Sequence, residues 1–185
     1  MIMKKILLAI IAALILVPAG LRAQNTEKAI AKIRKDYAAA QEKVKTVGDY
    51  YDGLFINCAS VNIQEMWGGS GPHAEKTEIF YIMGNDEEWS FDRNIFFVRN
   101  KYNVSVREFY TEILYDENGK PEFYYYKAFG YDGNPLEWRF YWENGKLIRS
   151  LTPKNIDTEI FPDSQPTPKS AYKAAENYSQ YLTRL

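Results

Sequence analysis

The sequence predicts an α+β fold: an N-terminal helix, a curved antiparallel meander of six or seven strands, and a C-terminal helix on the same face. Three observations carry this reading. Apolar residues recur at three- and four-residue spacing near both ends, which is helical periodicity. Between the ends the period changes to two, as in strands whose side chains alternate. Clusters of Asn, Asp and Gly interrupt that alternation roughly every 10 to 20 residues, as hairpin turns require.

The first 23 residues are read apart from the fold. MIMKKILLAIIAALILVPAGLRA places Lys4 and Lys5 before an apolar run over 6–17 and closes on the small residue Ala23. That is the layout of a secretory signal peptide. The run is about a dozen residues, against the roughly 20 that cross a hydrocarbon core. Residues 1–23 are therefore expected to be removed, leaving 24–185 as one α+β domain, periplasmic or secreted, with no membrane span. The segment contains no cysteine, so the acylation route of bacterial lipoproteins is not expected.

Removal of Lys4, Lys5 and Arg22 leaves 20 of the 23 basic residues against 24 acidic ones, a net charge of about −4. A mildly acidic chain with no Lys/Arg cluster lacks the footprint that binds a phosphate backbone, so nucleic acid is not an expected partner. A lone cysteine, Cys58, makes no internal disulfide. An exported fold of this size must then hold by its core alone.

From Asn25 the apolar positions Ile30, Ile33, Tyr37, Ala40, Val44 and Val47 form one stripe, with Asn25 or Thr26 as cap and Gly48 as stop. At the other end Thr167-Pro168 opens a second helix carrying Ala171, Ala175, Tyr178, Leu182 and Leu185 at the same spacing. Strands are expected near 54–65, 77–83, 92–101, 104–115, 121–130, 136–142 and 146–151. Their turns include Asp116-Glu-Asn-Gly119, Tyr131-Asp-Gly-Asn-Pro135 and Glu143-Asn-Gly145. Short links make sequence neighbours pair antiparallel. The Pro-rich 152–168 reads as a loop returning to the last helix.

Within 115–149, YDENGKPEFYYY and YWENGKLIRS share aromatic residues around an Asn-Gly-Lys turn, with WRFYW before the second. This resembles MORN-type hairpin repeats over about a fifth of the chain, without the regular period of such arrays. The resemblance implies hairpins and no activity.

Candidates for chemistry are few. His73 is the only histidine, in Trp67-Gly-Gly-Ser-Gly-Pro-His73, read as a flexible loop. A hydrolase reading makes His73 the base for Ser70 or Cys58, oriented by Glu65 or Glu75. Pro72 stands where a nucleophile elbow needs its second glycine, so that motif fails. One His and one Cys exclude the common Cys/His zinc sites within one chain. The acidic turns at Asp116–Asn118 and Asp132–Asn134 lack the alternating spacing of a calcium loop, and Asp86-Glu-Glu88 reads as a solvated turn. No phosphate-cradling Gly-Lys motif is present, and no cofactor is expected.

What stands out is aromatic density over 121–148. Alternation puts Leu136, Trp138, Phe140 and Trp142 on one side of their strand and Glu137, Arg139 and Tyr141 on the other. Grouping Phe123 and Phe129 with the tryptophans leaves Tyr124, Tyr126, Arg139 and Tyr141 on a face expected to stay uncovered, a candidate ligand-binding surface. The leading functional expectation is an exported, non-enzymatic binding or adaptor protein, with carbohydrate, lipid and another envelope protein open as partners. The alternatives are the His73 hydrolase and a structural component of a cell-surface assembly. An exposed, uncharged edge strand would mark the last.

Overall fold

The computed structural model describes residues 19–69, 71–83, 93–129, 133–154 and 165–182. Residues 1–18 of the segment expected to be a signal peptide, Ser70, the charge run at 86–88, residues 131–132, most of the expected return loop and Leu185 lie outside the described residues.

The class is α+β, as expected. A helix α1 (Ala19–Lys43) and a 3-10 turn (Val44–Thr46) lead into eight strands. These are β1 (Tyr50–Tyr51), β2 (Leu54–Trp67), β3 (Gly71–Met83), β4 (Arg93–Val104), β5 (Arg107–Tyr115), β6 (Pro121–Phe129), β7 (Pro135–Glu143) and β8 (Lys146–Leu151). A helix α2 (Pro168–Leu182) follows. The strands form one sheet in the order β1 to β8, every neighbouring pair antiparallel. Among the described residues no helix is long and apolar enough to cross a membrane.

The count is eight strands rather than six or seven because Tyr51-Asp52-Gly53-Leu54 makes a two-residue hairpin, with Asp52 and Gly53 both at positive φ. Helix α1 starts at Ala19, six residues before Asn25, since Leu21 to Gln24 are good helix formers and nothing interrupts them. It leaves Val47 outside the helix and exposed, whereas Ile30, Ile33 and Ala40 are buried as the stripe requires. Thr167 caps α2 as expected: its Oγ1 accepts from the Ser170 N–H at 3.1 Å.

The two helices cover opposite faces, not the same one. Helix α1 seats Ile30, Ile33 and Ala40 on Phe80, Phe97, Leu114, Phe123 and Tyr141. Helix α2 seats Ala171 and Ala175 among Ile113, Tyr115, Tyr124, Phe140 and Trp142, where the Tyr115 hydroxyl donates to the Ala175 carbonyl at 2.8 Å. Both faces of the central strands carry large apolar groups, so each needs a cover.

Three bulges bend the sheet. Pairing skips Phe96 between β3 and β4, Glu122 between β5 and β6, and Ile148 between β7 and β8. The meander brings all three to the end of the sheet that holds the 116–120 and 144–145 turns. An inserted residue increases local twist, so extra twist is concentrated at this end, which faces residues 29–43 of α1.

Candidate functional site

Cross-strand pairing decides where the four expected ligand residues point. Tyr124 faces Phe140 and Tyr126 faces Trp138, with ring centroids 6.1 and 5.3 Å apart. Both tyrosines therefore lie on the tryptophan side, buried under α2, where burial raises their hydroxyl pKa values. Phe123 pairs with Tyr141 and Tyr125 with Arg139 on the α1 side. The expected uncovered face does not exist. Its error was to group Phe123 with the tryptophans: a one-residue change of register sends every side chain of a strand to the other face. The structure brings Arg139 and Tyr141 together and sets Tyr124 and Tyr126 apart as core.

Arg139 and Tyr141 line a cleft of about 300 Å³ between α1 and strands β6 to β8, with Ile33, Arg34, Tyr37, Phe123 and Leu151. Rings form its floor: Phe123 lies 4.9 Å from Tyr141 and 5.0 Å from Tyr37, the latter edge-on. Two arginines also line the cleft. Arg139 is bonded to Glu137 and sits 5.3 Å from the Tyr125 ring, while Arg34 is exposed and has no ion-pair partner among the described residues. An apolar floor with a few convergent polar groups is the usual make-up of a small-molecule site.

Behind the cleft runs a feature that in-strand alternation did not reveal. Successive ladders pair Glu78 with Arg99, Arg99 with Glu112, Glu112 with Tyr125, and Tyr125 with Arg139, a polar row across the α1 face. Its centre is the buried carboxylate of Glu112, which accepts from the Tyr37 and Tyr110 hydroxyls and from Gln41 Nε2 at 2.9 Å, with Arg99 Nε at 3.6 Å. Burial and this carboxylate hold both hydroxyls protonated well above the usual tyrosine range. The row fixes the Tyr37 ring at the cleft.

A larger cleft of about 490 Å³ opens between α1 and the 116–118 and 143–144 turns. It mixes Lys32 and Lys43 with Asp36, Asp116, Glu117, Glu122 and Glu143. Partial burial at the bulge pushes the Glu122 carboxyl up to about 7, Asp36 and Asp116 adding to the rise and Lys32 opposing it. Since the folded value lies above the unfolded one, the native state binds the extra proton between them. Stability should then fall as pH rises from about 4.5 to 7. Glu122→Gln should flatten the thermal midpoint across that window, and an unchanged pH profile would refute the assignment.

His73 lies in β3 rather than in a loop, because β2 runs on to Trp67 and the connection is short. It is buried, stacked on Trp67 at 4.0 Å between ring centroids, and its Nδ1 lies 2.7 Å from the Asn103 carbonyl. A carbonyl only accepts, so Nδ1 carries the proton. Nε2 stands 3.7 Å from Glu75, too far for a hydrogen bond. Cys58 is on the α1 side, opposite to His73, and burial raises its thiol pKa. Glu65 accepts from Trp67 Nε1 at 2.8 Å instead of orienting the imidazole. Among the described residues His73 reaches no nucleophile. His73→Ala should cost about 1–3 kcal/mol in a melt, because it empties a buried site stacked on Trp67 and removes the bond to the half-buried Asn103 carbonyl, rather than the half kcal/mol of a surface change.

The Asp116 carboxylate accepts from the backbone N–H groups of Asn118 and Lys120 at 2.9 and 2.8 Å, which is turn chemistry. No cluster of three or more metal-ligating side chains occurs among the described residues. No protein-family model matches the chain, and no curated protein or solved structure matches it. The α+β class and the cleft chemistry therefore carry the functional argument alone.

Proposed function

We propose that this is an exported, non-enzymatic binding protein whose ligand is a small amphipathic anion seated between α1 and β6 to β8. The observation that carries the reading is that Arg34 and Arg139 line the same cleft as Tyr37, Phe123 and Tyr141. Guanidinium groups take a carboxylate or phosphate through planar paired hydrogen bonds, and rings take the apolar remainder. Of carbohydrate, lipid and envelope protein, this chemistry favours a lipid-like acid. A sugar platform needs open rings, and here Tyr124 and Tyr126 are covered by α2. Export rests on the 1–23 pattern, and the fold tolerates that cleavage: none of residues 23–29 is buried, and the anchoring side chains begin at Ile30.

Two measurements test this. Mass spectrometry of protein from the producing cell should find Gln24 first, and an intact Met1 on membrane material would overturn export. Titration calorimetry with 4-phenylbutyrate and its uncharged alcohol separates charge from shape. The acid should bind, the alcohol should bind far more weakly, and Arg34→Gln with Arg139→Gln should abolish the difference. Equal binding of both compounds, or of neither, would sink the cleft assignment.

A further inference from the structure

The sheet has two edges, and they differ. Strand β8 is six residues long and carries Lys146 and Arg149, the short, charged form in which exposed edges are normally kept from pairing. Strand β2 is 14 residues long and is covered only at its start, where β1 pairs with Leu54 and Phe55. Residues 57–67, NCASVNIQEMW, contain one charge, Glu65, and no proline or lysine. Their pairing with β3 runs without a bulge. Apart from Glu65, the usual protections are missing from 57–67 among the described residues, and no described element lies beyond this stretch.

The direction of its free groups follows from Ile56. The Ile56 N–H donates to the Asp49 carbonyl at 3.0 Å, and its carbonyl accepts from Gly48 N at 2.9 Å, both on the side away from β3. Backbone groups alternate along a strand, so the N–H and C=O of Cys58, Ser60, Asn62, Gln64 and Met66 point outward as well. A regular row of donors and acceptors is left for a second strand.

We propose that the partner is a second copy of this chain, β2 pairing antiparallel with β2 about a two-fold axis through Asn62. That register is self-complementary. It sets Asn62 on Asn62, Ser60 on Gln64 and Cys58 on Met66 among the outward-bonding residues, each hydrogen-bonded pair exchanging two bonds. On the other face it sets Val61 on Ile63, apolar and β-branched residues that pair well across strands, and Asn57 on Trp67. Glu65 meets Ala59, and the two Glu65 carboxylates stand about 20 Å apart along the strands, so no like charges meet. Met66, 76% exposed, and Trp67, 41% exposed, both gain a partner. Two eight-stranded sheets become one continuous sheet with α1 of both copies on the same side. This inference is independent of the cleft, which lies near the opposite edge.

The test is the oligomeric state of the mature protein by light scattering through a dilution series, with three variants. The wild type should be a dimer that dissociates on dilution. Asn62→Lys places like charges at the axis on an exposed position and should give a monomer with an unchanged melt. With Cys58→Ser removing the native thiol, Asn62→Cys should crosslink under oxidation, because paired residues at the axis have Cα atoms about 5.5 Å apart. Gln64→Cys should not, since each copy's Gln64 faces Ser60 of the other. A wild type monomeric at every concentration, a dimer that survives Asn62→Lys, or equal crosslinking at 62 and 64 would each overturn the proposal. So would a monomer that retains an extended peptide of another protein on β2.

Discussion

Trp138→Ala and Tyr141→Ala are expected to destabilise the protein to a similar degree, about 3–5 kcal/mol each, the cost of emptying a buried aromatic site. The two side chains are on opposite faces of β7 and are 2% and 3% exposed. Trp138 is sealed with the cluster under α2 and Tyr141 with the cluster under α1. A domain with about 5–15 kcal/mol in total stability would lose a large share from either change. Urea unfolding measures both, and Phe140→Leu on the α2 face with Phe123→Leu on the α1 face supply milder truncations if the alanine variants do not fold. Tyr50→Ala is the control: at 66% exposure it should cost within about 0.5 kcal/mol. A small cost at Tyr141 beside a large one at Trp138 would mean that α1 does not seal its face. The cleft at Arg34 and Arg139 would then lose its wall.

That symmetry between faces shows where sequence reading succeeds and where it stops. Local signals were legible. The helix stripe at Ile30, Ile33 and Ala40, the Thr167 cap and the Asn144-Gly145 turn follow from spacing and backbone preference, and each stands where the chain implies. The Asp52-Gly53 hairpin used the same chemistry and was equally readable, but a two-residue strand presents no alternation to mark it. Register was the missing quantity. Alternation says that Phe123 and Tyr124 point opposite ways, yet not which of them shares a side with Trp138. That depends on how many residues the connection between Phe129 and Pro135 absorbs. Once both faces proved apolar, one helix had to cover each. The polar row was hidden for the same reason. Glu78, Arg99, Glu112, Tyr125 and Arg139 come from five strands, and only the ladders bring them into line.

Glu112 at the centre of that row carries the second large expected effect. Glu112→Ala should cost about 3 kcal/mol, the lower end of the range for breaking a buried charge pair by removing one partner. The lower end applies because Arg99, 30% exposed, keeps water contact and a second carboxylate, Glu78, at 3.8 Å. The orphaned donors are Tyr37, Tyr110 and Gln41, of which Tyr37 and Gln41 belong to α1. Glu112→Gln keeps the shape and one acceptor oxygen, so its cost should be nearer 1–2 kcal/mol, that of weakened hydrogen bonds. Tyr37→Phe combined with Glu112→Gln should show coupling of about 0.5–3 kcal/mol, as contacting residues of one network do. The lost anchoring should also appear locally. Amide hydrogen exchange should rise along α1 before it rises in β6 and β7, because the helix is tied to the sheet here by polar contacts as well as by its apolar stripe. Equal stability of the alanine and glutamine variants would show that water already satisfies these groups. Unchanged exchange along α1 would show that Ile30, Ile33 and Ala40 seat the helix without help from the carboxylate, leaving the Tyr37 side of the cleft indifferent to Glu112.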